Sequence, residues 1–170
     1  MKHFINIFQI DKSNIKYAHN DNLKIKLEID TNPPSGANYE IKYLLNPIPF
    51  SVKTFDLPSL FAGKIHALIC REWKIRVKGR DFYDYLWFLS RNIPVNLYHA
   101  EQRLKHNHFI KDNIKLTKEL LIEILENRFS NVDCEQVKKD IRPFVSSNYD
   151  LSIWSYNFFV NITNDKLNIV

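Results

Sequence analysis

The hydrophobic period of this chain switches at Asp56-Leu57-Pro58. That switch confines the fold to strands first and helices after. Upstream, Ile25, Leu27 and Ile29 alternate with Lys26, Glu28 and Asp30 in NLKIKLEID (22–30), the pattern of a strand with one core face and one charged face. The cluster Asn32-Pro33-Pro34-Ser35-Gly36 ends it. Two further extended segments, 38–45 and 50–55, are expected to pair with it, with Pro47 and Pro49 at the bend between them. Residues 2–10 read equally well as an edge strand or a short helix. Downstream, Asp56 offers an N-cap oxygen and Pro58 sits in the first turn, where a missing N–H costs nothing. Leu60, Phe61, Ile65, Leu68 and Ile69 then recur at helical spacing. The fold class is α+β: a partial sheet over residues 1–56 followed by a helical bundle over 57–170.

Lys64 lies among Ala62, Gly63 and Ala67, so its charge either snorkels to solvent or points into a cleft. A basic link, KIRVKGR, follows Trp73 and leads through Gly79 into DFYDYLWFL, an aromatic-rich helix. Asp81 and Asp84 are three residues apart there, on nearly one face of the helix N-terminus, where negative charge is favoured. Asp81 also reads as a simple N-cap, and Asp84 as a surface partner of Arg80 or Lys78. Further helices are expected over 96–109, over 117–129 with Thr117 as cap, over 133–144, and over 151–162. His106 and His108 flank Asn107 in a string that resembles a nuclease motif only in its letters, and both histidines are expected to face solvent.

A chain of 170 residues with 45% apolar and 25% charged content can bury one proper core. No run reaches the length of a membrane span, and no secretory leader is visible. Cys70 and Cys134 lack metal-ligand or disulfide spacing, which fits reduced thiols in a cytoplasmic protein. A net charge of +5 and a pI near 9.1 favour a polyanionic partner. Phosphate-cradling glycine loops are absent.

The helix AGKIHALICR followed by KGRDFYDYLWFL resembles the AbiEii/AbiGii toxin family of nucleotidyltransferases, over roughly residues 20–165. A central lysine, a small-residue helix, a basic link and an RDxYD helix occur in the family's order. The resemblance implies a nucleotidyltransferase of a toxin–antitoxin, abortive-infection or phage-defence system, transferring a nucleotide from an NTP to RNA, with transfer RNA among the family's acceptors. It implies Lys64 and Asp81 as active-site residues, Arg76, Lys78 and Arg80 along a rim for triphosphate or RNA, and a cognate antitoxin. It also implies Mg²⁺, with Glu28 and Asp30 as the carboxylates available to ligate it; the bland alternative for both is a solvated strand face. Where the family carries a Gly-Ser turn and then an Asp-x-Asp pair, this sequence has neither. The expectation that follows is a chain corresponding to the middle and C-terminal part of the family. Such a chain would act as a truncated enzyme, or as an inactive module binding RNA, an antitoxin or a missing catalytic half. An open sheet edge would then favour association with a partner or a second copy.

Overall fold

The computed structural model describes residues 29–72 and 77–170. The chain divides at Pro33-Pro34, and of the first unit only residues 29–33 are described. The strand expected over 22–30 therefore lies almost wholly outside the described residues. Its last two residues, Ile29 and Asp30, are not in a strand, and Ile29 is exposed rather than core.

In the second unit, β1 (Tyr39–Leu44) and β2 (Phe50–Phe55) form an antiparallel hairpin with Tyr39 opposite Phe55 and Leu44 opposite Phe50. The Tyr39 and Phe55 rings lie 5.0 Å apart, and the Lys53 ammonium sits 4.3 Å from the centre of the Tyr39 ring. A buried polar knot ties the hairpin to the helices. Asn38 N–H donates to Ser59 Oγ at 2.9 Å, and Asn96 Nδ2 donates to Gly36 O at 2.9 Å and to Ser59 Oγ at 3.1 Å. His99 Nδ1 meets Ser35 O at 2.7 Å while its Nε2 accepts from Arg103 Nε, which places the ring proton on Nδ1. Gly36 is held at φ +84°, and a Cβ there would come within 2.6 Å of the Tyr98 ring. Only glycine satisfies both constraints.

The helices follow as α1 (Leu57–Cys70), α2 (Gly79–Ser90), α3 (Leu97–His106), α4 (Lys118–Ser130), α5 (Cys134–Ile141) and α6 (Tyr156–Lys166), with a 3-10 turn over Arg142–Phe144 after α5. Asp56 and Thr117 cap α1 and α4 as their sequence positions imply, each accepting from a backbone N–H three residues on. Leu60 departs from the expected buried stripe of α1 and is 39% exposed, whereas Phe61, Ile65, Leu68 and Ile69 are buried. The last helix starts at Tyr156, not Leu151. Ser155 caps it, and Leu151 and Trp154 are buried in the irregular turn ahead of it.

Phe82, Phe129, Trp154 and Phe159 form the aromatic centre, with Phe159 rings 5.2, 5.3 and 5.5 Å from Phe82, Phe129 and Trp154. Tyr85 is fully buried beside them and donates to Thr163 Oγ1 at 2.7 Å, which in turn donates to Phe159 O. The C-terminus closes back on the start of α3, where Val95 N–H donates to Asn168 O and Val170 N–H to Val95 O, both at 2.8 Å.

His66 sets an acid limit on this fold. Its Nε2 is buried without a hydrogen-bond partner among the described residues, and burial, aided by the facing Arg103, His106 and His99, lowers its pKa from 6.5 to about 4. Between those values the unfolded chain binds the proton and the folded one does not, so stability falls as pH drops from about 6.5 toward about 4 and is level above that window. Urea midpoints measured across that range should show the slope, and His66→Gln should reduce it, with His99, also lowered by burial, carrying the remainder. An equally steep slope in His66→Gln would assign the acid sensitivity to other groups.

Candidate active site

α1 and α2 pack antiparallel, and two ion pairs cross their seam. Lys64 and Arg71 are seven residues apart on α1 and its C-cap, two helical turns along one face. Asp81 and Asp84 are one turn apart on α2. Lys64 Nζ meets Asp84 Oδ2 at 2.6 Å, and Arg71 NH1 meets Asp81 Oδ1 and Oδ2 at 2.9 and 2.7 Å. The earlier cation faces the later carboxylate and the later cation the earlier carboxylate, as antiparallel helices require.

These pairings correct two expectations from the sequence. Asp84 faces Lys64 across the seam rather than Arg80 or Lys78 on its own helix, because the seam brings the ammonium to it. Asp81 holds Arg71, not Lys64, and it is not the N-cap of α2: that position is Lys78, whose side chain makes no capping bond. The two pairs also differ in setting. Asp81 is 4% exposed, and burial pushes its carboxyl above the ordinary carboxylate value against the pull of Arg71 and Arg80. Lys64 and Asp84 stay half-open, with side chains 44% and 31% exposed. Arg71 is 35% exposed, so both cations are partly open and it is the two carboxylates that differ in setting.

Arg71 and Arg128 escaped sequence reading. Arg128 Nε donates to Leu68 O at 2.8 Å and its NH2 to Arg71 O at 2.6 Å, so a cation from α4 satisfies the last carbonyls of α1 and fixes the backbone that carries Arg71. The seven-residue spacing of Lys64 and Arg71, matched against the three-residue spacing of Asp84 and Asp81, was the only sequence signal available. The small residues beside Lys64 serve the neighbouring helix: Ala62 is buried, and a Cβ at Gly63 would lie 3.6 Å from the Arg103 guanidinium of α3.

Of the expected rim, Lys78 is half-buried and Arg80 exposed at the start of α2, close to this seam, while Arg76 lies outside the described residues. Of the expected metal ligands, Glu28 also lies outside them. Asp30 accepts from Asn32 N–H at 3.0 Å and closes a local turn. For Mg²⁺ the described residues are a poor fit. Asp81 and Asp84 each face a cation, and no group of three histidine, cysteine, aspartate or glutamate side chains among the described residues could hold a metal ion. Both cysteines are free, and no described helix is long and apolar enough to cross a membrane.

The family model for the nucleotidyl transferase AbiEii toxin of type IV toxin–antitoxin systems matches residues 4–160. The chain belongs to that family, whose toxins act on nucleotides and are paired with an antitoxin. Comparison with curated proteins and with solved structures gives no significant match.

Proposed function

We propose that this protein is a toxin nucleotidyltransferase that moves a nucleotide from an NTP onto RNA, with Lys64 as the residue that grips the triphosphate. The observation that carries this reading is the half-open Lys64–Asp84 pair at the seam of α1 and α2, inside the span that the family model matches. In the reaction an RNA hydroxyl oxygen bonds to the α-phosphorus and gives its proton to solvent, while the bond from that phosphorus to the pyrophosphate oxygen breaks and pyrophosphate leaves. Negative charge gathers on the phosphate oxygens, and a preorganised cation stabilises it without reorganising at the moment of reaction. Asp84 holds the Lys64 ammonium extended at the seam until the triphosphate competes for it. Asp81 acts one step removed, fixing Arg71 so that a second positive group stands two turns along. Lys78 and Arg80 supply charge at the mouth for triphosphate or RNA backbone, and Arg76 joins them by its place in the basic link.

A second reading follows from a sequence fact, the lack of both the Gly-Ser turn and the Asp-x-Asp pair. Here the chain supplies the lysine helix and its RNA surface, and the metal-binding carboxylates come from another polypeptide. Both readings are tested by incubating the purified chain with α-labelled ribonucleotides, Mg²⁺ and total RNA. Label on RNA supports the first. Its absence alone, with label restored by a polypeptide carrying the Gly-Ser and Asp-x-Asp part, supports the second, and its absence in both settings overturns the assignment.

A further inference from the structure

On another side of α2 a cavity of about 660 Å³ opens between α2, the turn at 149–154 and α6, within the size range of ligand cavities. Its walls set aromatic rings among aliphatic and polar side chains, and the Arg91 guanidinium lies over one side of the Trp87 ring, 4.4 Å from its centre. Tyr83 and Trp87 stand one turn apart on α2, the Tyr149 ring lies 5.8 Å from Tyr83, and Lys166 stands at the edge. A second, more open groove of about 960 Å³ adjoins it, sharing Tyr149 and Asp150 and lined by Lys138, Lys139 and Arg142. Arg142 donates to the Tyr149 carbonyl at 3.1 Å, so a basic residue of one depression is bonded to the aromatic residue common to both.

We infer that the joined cavity and groove bind a single-stranded RNA segment, with bases on Tyr83, Trp87 and Tyr149 and phosphates along Lys138, Lys139 and Arg142. Lys138 is paired with Glu135 at 2.7 Å and Lys166 with Asp165 at 3.0 Å, so the positive charge these depressions offer a polyanion comes first from Lys139 and Arg142, against Asp150. A charged track beside flat rings is what single strands need, because every base offers a face to stack and every phosphate a charge. A duplex keeps its bases stacked on one another and has none to offer the rings. This inference rests on the RNA-acceptor reading above but concerns binding alone.

The test is fluorescence anisotropy with a labelled uridine oligomer of about 12 nucleotides, within the span such grooves occupy. It is run without NTP or Mg²⁺, against an abasic strand of equal length and a duplex. The uridine strand should bind more tightly than either control, and Trp87→Ala should weaken it about tenfold, with Trp87→Phe retaining most of the affinity. Lys139→Ala, at an exposed position outside the core, should lower the slope of log affinity against log salt by about one. Circular dichroism confirms the fold of each variant. No binding of the uridine strand overturns the inference, as does binding that neither variant alters or that the abasic strand equals. The outcomes separate from those of the transfer assay. Transfer with binding untouched by these variants removes only this site, and binding that follows the variants without any transfer removes only the catalytic reading.

Discussion

Replacing Gly79 with alanine should cost about 2–4 kcal/mol of stability, from overpacking together with loss of a helix-start hydrogen bond. Gly79 is the first residue of α2, and a Cβ there would lie 2.5 Å from Val137 O and 2.9 Å from Ile141 N. Both atoms are α5 backbone, so no side chain can swing aside, and the two helices have to separate. Separation also stretches the bond from Gly79 N–H to Asp140 Oδ2, which stands at 2.8 Å and satisfies a donor at the open end of α2. For a chain of this size the loss corresponds to a fall in melting temperature of roughly 4–16 °C. Gly63→Ala is the internal control. Its new methyl group would meet the Arg103 guanidinium at 3.6 Å, an ordinary contact, inside a helix where alanine is favoured over glycine by about 0.5–1 kcal/mol. Thermal melts should therefore move in opposite directions for the two substitutions. Equal small shifts in both would mean that α2 and α5 are not held at this distance.

The same glycine shows what could and could not be read from the chain. That a helix starts close to Asp81 was legible in KGRDF, although Gly79, where the basic link suggests a tight turn, is itself the first residue of that helix. That Gly79 is needed for close approach was not, since the atoms it must avoid lie about 60 residues later. Local chemistry read well: the oxygens of Asp56 and Thr117 cap nearby N–H groups, and those bonds depend only on residues three apart. The start of α6 read badly for a related reason. Leu151 and Trp154 are apolar at helical spacing, yet they are buried from an irregular turn, and spacing alone does not distinguish a core-facing turn from a helix. The ion pairs fall on the same divide. Lys78 and Arg80 are within reach of Asp84 along the chain, and sequence reasoning chose them, but the packing of α1 against α2 delivers Lys64 instead. Asp81 and Lys64 were both identified as site residues by resemblance to the family; which cation serves which carboxylate is a property of the seam.

That difference of partners has a kinetic consequence. Lys64→Ala should lower nucleotide transfer by about 10²–10³-fold, the usual loss when one preorganised positive or donor group is removed from a developing phosphate charge. Asp84→Ala should lower it less, about tenfold, since the ammonium remains but is no longer held extended at the seam. Combining the two should cost little more than Lys64→Ala alone, because groups that act through one another are not additive. Asp81→Asn belongs to the other pair. It leaves Arg71 facing a neutral amide in a site where the carboxylate was 4% exposed, so its main effect should be on stability, about 1–3 kcal/mol, with Arg71's partial exposure limiting the cost. Initial rates of label transfer and urea midpoints, measured on the same four proteins, separate the two roles. If Asp81→Asn abolished transfer at unchanged stability while Asp84→Ala behaved as wild type, Lys64 would have to exchange partners during the reaction, and Asp81 rather than Asp84 would be the carboxylate that works beside it.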